Sequence, residues 1–215
     1  MAEKLTIWTY DWVPAGPRGF VRDLRLRWAA EEASLAYDVR TVLFEDRETN
    51  HLDSQPFGQV PFLTAGNVTI FESGAGLLHL ARKSEKLMPR DASGEAETLQ
   101  WVIAALNSIE MVTVPWWFLK VTGQEDAGLA DWMGKRLAQL EAVLSKRDWL
   151  AADRFTVADL IMADVLRVSK VRAHGERPAT EAYVARLIAR PAFCKAHSDQ
   201  ITHFAAADQD RYNGG

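Results

Sequence analysis

The sequence predicts an α/β first part followed by an all-helical second part. Three observations carry this. Short β-branched and aromatic runs of strand length occur before about Lys83. Beyond about Ala92 the apolar residues recur at three- and four-residue intervals, the period of a helix. Between them, residues 85–94 (EKLMPRDASG) collect Pro, Gly, Ser and charge, and read as a linker. The expected division is 1–84, linker 85–94, and 95–215.

Each element follows from its pattern. Leu5 to Thr9 reads as a strand. Val21, Leu24, Trp28 and Leu35 share one helical face, so a helix is expected over about Gly19 to Leu35. Val39 to Phe44 is a second strand. Pro61 to Thr64 and Val68 to Phe71 flank Ala-Gly-Asn, the turn signal of a hairpin. Ser73 to Lys83 returns to a helical pattern. In the second part, Leu99, Val102, Ile103, Leu106 and Ile109 mark a long helix, which Pro115 should kink or end. Leu129, Met133, Leu137, Leu140 and Leu144 form another stripe. Phe155 to Val168 is apolar nearly all round, the pattern of a buried helix. Tyr183, Leu187 and Ile188 begin the last stripe, and the polar end from Asp208 is expected to fray.

Composition narrows the classes. With 215 residues, 48% hydrophobic and 25% charged, the chain has ample material for a core. A net charge of -4 without a Lys/Arg run argues against a nucleic-acid partner. The N-terminal apolar run is too short for a signal peptide, and no membrane span is expected. A soluble, cytoplasmic protein is the expectation. Cys194 is the only cysteine, so neither an intramolecular disulfide nor a cysteine-based metal site is implied.

The stretch Gly58 to Ser73, GQVPFLTAGNVTIFES, suggests chemistry. A proline at a strand's mouth removes a donor from the ladder. A cis bond into Pro61 would turn the Val60 backbone outward to pair with an extended ligand. Glu72-Ser73 ends the hairpin and starts a helix, whose unpaired amides suit a carboxylate. Ser73 adds a hydroxyl and Glu72 an acceptor for an ammonium. Together they describe a seat for an α-amino acid head group beside a peptide backbone.

These residues resemble the cytosolic glutathione transferases. Gly58-Gln59-Val60-Pro61 is similar to that family's G-[KQ]-[VL]-P element, and Glu72-Ser73 to its E-S or Q-S pair. SGAGLLHLARK, RFTVADLIMADVL and RPAFCKA resemble its later helices, with Thr156 and Asp159 placed for a capping box. The resemblance covers nearly the whole chain. It implies a thioredoxin-like N-terminal domain, an all-helical C-terminal domain, a homodimer, and glutathione as co-substrate with no metal. It also implies that the Val60 backbone pairs with the cysteinyl unit and that Glu72 and Ser73 hold the γ-glutamyl end. Gln59 reaches the same end, and His51 stands near a basic contact to the glycine carboxylate.

The departure lies in the first loop. The family usually places a Tyr, Ser or Cys near the glutathione sulfur between the first strand and helix. Here the loop is longer, and Asp11 to Arg27 holds none of them. Three arrangements stand open: the Tyr10 hydroxyl, the charge of Arg18 or Arg22, or helix amides near Gly19, Phe20 and Val21. Trp12, Phe20, Met111, Trp116 and Trp117 are candidates to line a pocket for a small hydrophobic electrophile. The expected function is glutathione transfer to such an electrophile or to a peroxide. The alternative is a glutathione-binding or structural module of the same fold without turnover.

Overall fold

A computed structural model describes residues 4–212, with side chains through Asp208. In chain order the elements are β1 (Leu5–Tyr10), α1 (Asp23–Ala33), β2 (Tyr37–Val42), β3 (Phe62–Ala65), β4 (Val68–Phe71) and α2 (Ser73–Ala81). Then come α3 (Ala92–Ala104), a π-helix (Ala105–Glu110), α4 (Met111–Val121), α5 (Ala127–Leu144), α6 (Val157–Leu166), α7 (Ser169–Arg172), α8 (Pro178–Ile188) and α9 (Pro191–Tyr212).

Two compact units result. The first holds the sheet, with strand order β2-β1-β3-β4. β1 runs parallel to β2, from Leu5 opposite Tyr37 to Tyr10 opposite Val42. β3 is antiparallel to β1, and β4 to β3. This is the thioredoxin-like arrangement. Leu5, Ile7 and Thr9 of β1 are buried, as are Leu24, Leu26, Trp28, Ala29 and Ala30 of α1. α1 packs on β1, α2 and α9. Trp28 and Phe193 meet edge to face at 4.9 Å, which seats α9 on α1. The sheet's unit therefore comprises residues 1–84 and 191–215. The sequence expectation had placed the terminal helix in the second domain. Its apolar positions are answered by α1, which the stripe on α9 alone does not reveal.

The second unit, residues 85–190, is all helical. Met133, Leu137, Leu140 and Leu144 of α5 form the expected buried stripe, and α6 is buried throughout. Its capping box is present: the Asp159 carboxylate accepts from Thr156 N (2.9 Å), Leu150 N (2.9 Å) and the Tyr183 hydroxyl (2.9 Å). Asp91 and Asp126 cap α3 and α5 by accepting from Gly94 N and Leu129 N, each at 2.8 Å.

Three expectations change. Pro115 does not end its helix; it lies inside α4, and a π-helix comes just before that segment. Buried Val112, Thr113 and Trp116 surround it, and such packing overrides a local propensity. Of the polar end, Asp208 has partners in the first loop and α9 runs on to Tyr212, while residues 213–215 lie outside the described residues. Finally, Ala92–Val121 makes one helix of 30 residues, long and apolar enough to cross a bilayer. A third of its most apolar stretch is buried against the unit's own helices.

Candidate functional site

The corner between β4 and α2 is the most unusual backbone in the first unit. Glu72 has φ 68° and ψ 123°, a conformation that costs a non-glycine residue roughly 1–3 kcal/mol. Its exposed carboxylate has no hydrogen-bond or ion-pair partner among the described residues. Ser73 follows as the first residue of α2 and is buried. The first bond of that helix runs from Gly76 N to Glu72 O (3.0 Å), so the amides of Ser73, Gly74 and Ala75 have no intrahelical acceptor. The buried Arg25 of α1 donates from Nη1 to Ser73 Oγ (3.1 Å). That bond occupies the Ser73 oxygen as acceptor and leaves its proton for another group. Arg25 was missed in the sequence because it sits in a helix among other charges; nothing local relates it to Ser73.

Beside this corner the Val60-Pro61 bond is cis. Neither the N–H nor the C=O of Val60 has a partner among the described residues. Gln59 is exposed. Its carbonyl accepts from His51 Nε2 at 3.0 Å. His51 is only 7% exposed and stacks on Phe62, so it braces the loop from inside. Gly58 has φ +64°, and a Cβ there would lie 2.4 Å from the Arg47 carbonyl. Only glycine closes the loop this tightly. Arg47, another residue the sequence reading passed over, lies 4.4 Å over the Phe44 ring, and its charge is felt by Tyr10.

Tyr10 ends β1. Its hydroxyl donates to Gly58 O (3.0 Å), and burial pushes its pKa up, with Arg47 opposing. It is a neutral phenol whose single proton already has an acceptor.

The loop from Asp11 to Arg22 follows. Asp11 accepts from Phe44 N (2.8 Å), fastening its start to the end of β2. Arg18 is not a free cation: it forms a two-pronged ion pair with Asp208 (2.6 and 2.7 Å) and also donates to Val13 O. Trp12 donates to the same carboxylate at 2.8 Å. Arg18, with Trp12, holds the Asp208 carboxyl down at about 2. Phe20 is 46% exposed. Arg22 caps α1 with its backbone and makes no side-chain cap bond. Burial pushes the Asp23 carboxyl up, opposed by Arg27, whose Nε donates to it at 2.8 Å. Of the other sequence candidates, Trp116 is buried against His174, whereas Met111 and Trp117 are exposed.

Two family models match the chain: "Glutathione S-transferase, N-terminal domain" over residues 16–82 and "Glutathione S-transferase, C-terminal domain" over residues 124–191. Glutathione S-transferase 1 of Schizosaccharomyces pombe is 30% identical over 195 residues, covering 76% of this chain and 85% of that one. A glutathione S-transferase of Hyoscyamus muticus is 30% identical over 158 residues, covering 66% and 74%. The chain belongs to the glutathione S-transferase family. Solved structures agree on the fold. A theta-class glutathione S-transferase of Xanthomonas axonopodis pv. citri, with glutathione bound, superposes with a TM-score of 0.77 at 24% identity, covering 93% of this chain and 100% of that one. A Pseudomonas putida glutathione transferase with glutathione disulfide bound gives 0.77 at 21% identity, covering 91% of each chain.

Within this glutathione S-transferase, the corner residues Val60, Glu72 and Ser73 lie at the open end of the β3–β4 hairpin, where Phe62 pairs with Phe71, and at the start of α2. The first-loop candidates divide: Arg18 and Trp12 are engaged by α9, and Tyr10 by Gly58. No group of three or more His, Cys, Asp or Glu among the described residues is arranged to hold a metal ion.

Proposed function

We propose that the protein binds glutathione along the corner from Gly58 to Ser73 and transfers it, as thiolate, to a small hydrophobic electrophile. The unpartnered Glu72 carboxylate, held in a costly backbone conformation directly before a helix start, carries this reading. Glu72 takes the γ-glutamyl ammonium. The Ser73 hydroxyl and the first α2 amides take its carboxylate, with Arg25 fixing the serine. The open Val60 backbone pairs with the cysteinyl unit, and Gln59 lies alongside.

For the sulfur, the main chain before α1 is the best remaining donor. Arg18 is neutralised by Asp208, and the Tyr10 proton is given to Gly58. The Val21 N–H has no acceptor among the described residues. A thiol ionises near 8.5 in water, and each unit of depression needs about 1.4 kcal/mol. One or two charge-assisted hydrogen bonds supply that much. The exposed apolar residues Ile103, Met111, Val114, Trp117 and Phe118 lie on the helix from Ala92 to Val121, a bundle helix rather than an anchor in this reading. They offer surface for a second copy of the chain. A cytoplasmic homodimer is the corresponding expectation.

Thiolate absorbance near 240 nm, followed against pH with glutathione bound, tests the reading. A bound thiol that titrates well below 8.5, with turnover of 1-chloro-2,4-dinitrobenzene, supports a transferase. Binding without thiolate formation favours the module without turnover, which the engaged states of Arg18 and Tyr10 keep as a second reading. Absence of binding overturns both.

A further inference from the structure

The C-terminal helix touches the first loop. His197 faces Gly19, where a Cβ would lie 2.7 Å from its Nε2. Gln200 Nε2 donates to Val21 O (2.9 Å) and also to the buried Asp23 carboxylate. His203 Nε2 meets Tyr10 O at 3.1 Å, and a carbonyl partner makes that nitrogen the donor. Asp208 takes Trp12 and Arg18. Residues 197, 200, 203 and 208 of α9 thus all reach the segment from Tyr10 to Asp23.

Asp208 differs from the other three contacts. It is the charged one, and it binds two loop residues at once. Its Oδ1 accepts from Trp12 Nε1 and Arg18 Nη2, and its Oδ2 from Arg18 Nη1. Arg18 in turn donates through Nε and Nη2 to Val13 O (3.1 and 3.0 Å). One carboxylate thereby joins residues 12, 13 and 18, a span that also carries the turn contacts Arg18 N to Ala15 O and Phe20 N to Pro17 O.

We infer that Asp208 is a positioning residue for the thiolate site: through Trp12 and Arg18 it fixes the first loop and hence the main chain from Gly19 to Val21. The inference rests on the proposed function, since it assigns that loop to the sulfur. It predicts that turnover depends on a side chain almost two hundred residues from the loop, whereas the affinity for glutathione, set at the Gly58–Ser73 corner, does not. A small displacement of a donor costs catalysis far more than it costs binding.

The test is Asp208→Asn with Asp208→Glu beside it, in the full chain. Expected for Asp208→Asn is a fall in kcat of about 5- to 20-fold, with the glutathione Kd changed less than about twofold. Asp208→Glu should recover much of the loss. The Trp12 indole N–H resonance, identified by its absence in Trp12→Phe, should shift in the Asn variant and return in the Glu variant. Amides of residues 11–22 should exchange faster in Asp208→Asn, a measurement that needs no ligand. Unchanged kcat, an equal loss of kcat and affinity, or unchanged exchange overturns the inference. If Asp208→Asn does not fold, Trp12→Phe removes one of its bonds and keeps the ion pair; kcat lowered about 2- to 5-fold supports the inference and unchanged kcat overturns it. A wild type that fails to bind glutathione refutes the proposed function instead, and the exchange comparison still decides whether Asp208 holds the loop.

Discussion

The corner at Gly58–Ser73 and the loop at Asp11–Arg22 face the same proposed ligand but are built differently. The corner is held by His51 on the Gln59 carbonyl and Gly76 N on Glu72 O, close in sequence, and by Tyr10 on the Gly58 carbonyl and Arg25 on Ser73, each 48 positions away. The loop is held by residues 179 to 196 positions away, on α9. A site assembled from local turns keeps its geometry while the surface around it varies. One assembled across the whole chain can change its reactive group whenever the far partner changes. The contrast sets a corner whose ties stay within 48 positions against a first loop tied to the far end of the chain.

The sharpest way to break the comparison is Glu72→Ala. An ammonium deprived of a charged acceptor loses about 1.5–3 kcal/mol, so glutathione should bind roughly 10- to 100-fold more weakly. Titration calorimetry checks it, and kcat at saturating glutathione should change much less. Loss confined to kcat would mean that the corner and the loop had been assigned the wrong roles.

The same contrast decides what was legible in the sequence. Gly58-Gln59-Val60-Pro61 and Glu72-Ser73 carry turn and cap chemistry in consecutive letters, so the corner could be read directly. The strand and helix order came from periodicity, and α1 was read four residues early because Val21 fits its apolar face while still lying in the loop. Arg25 and Asp208 were not legible. Each is an ordinary charged residue in a helix, and its partner is 48 or 190 positions distant. The burial of His51 was not legible for a related reason: nothing in its own stretch shows that the loop closes over it and stacks it on Phe62.

A second comparison separates backbone from side-chain obstruction. Gly58→Ala puts a methyl 2.4 Å from a carbonyl oxygen at φ +64°, and neither group can easily move. It should cost about 2–3 kcal/mol. Gly19→Ala meets side chains alone, the edge of the His197 ring and Ile201 Cδ1, at φ +79° and should cost about 1–2 kcal/mol. Urea unfolding of both variants measures the difference. Equal costs would mean that the Arg47 turn is as compliant as a side chain.

Tyr10→Phe should do less. The Gly58 carbonyl loses one donor, worth about 1 kcal/mol of stability, and kcat should stay within about threefold of wild type. A larger fall in kcat, with stability intact, would return Tyr10 to the role of thiolate donor.

The smallest effect concerns acid. The Asp208 carboxyl is held at about 2, below its ordinary 3.8, first by the hydrogen bond from Arg18 and then by that from Trp12. A depressed acid contributes its stability above the unfolded value and loses it as pH falls through the folded one. The end of α9 should therefore stay on the loop at pH 4 and loosen towards pH 2, the Trp12 indole resonance reporting the change. Arg18 is the charged partner the carboxylate faces, and it does not titrate in this range. Raised salt should move the midpoint upward, because this pair lies near the surface and is screened. A midpoint already near 4 at low salt would mean that the carboxylate is not engaged in solution. The loop would then be no more dependent on the chain's far end than the corner is.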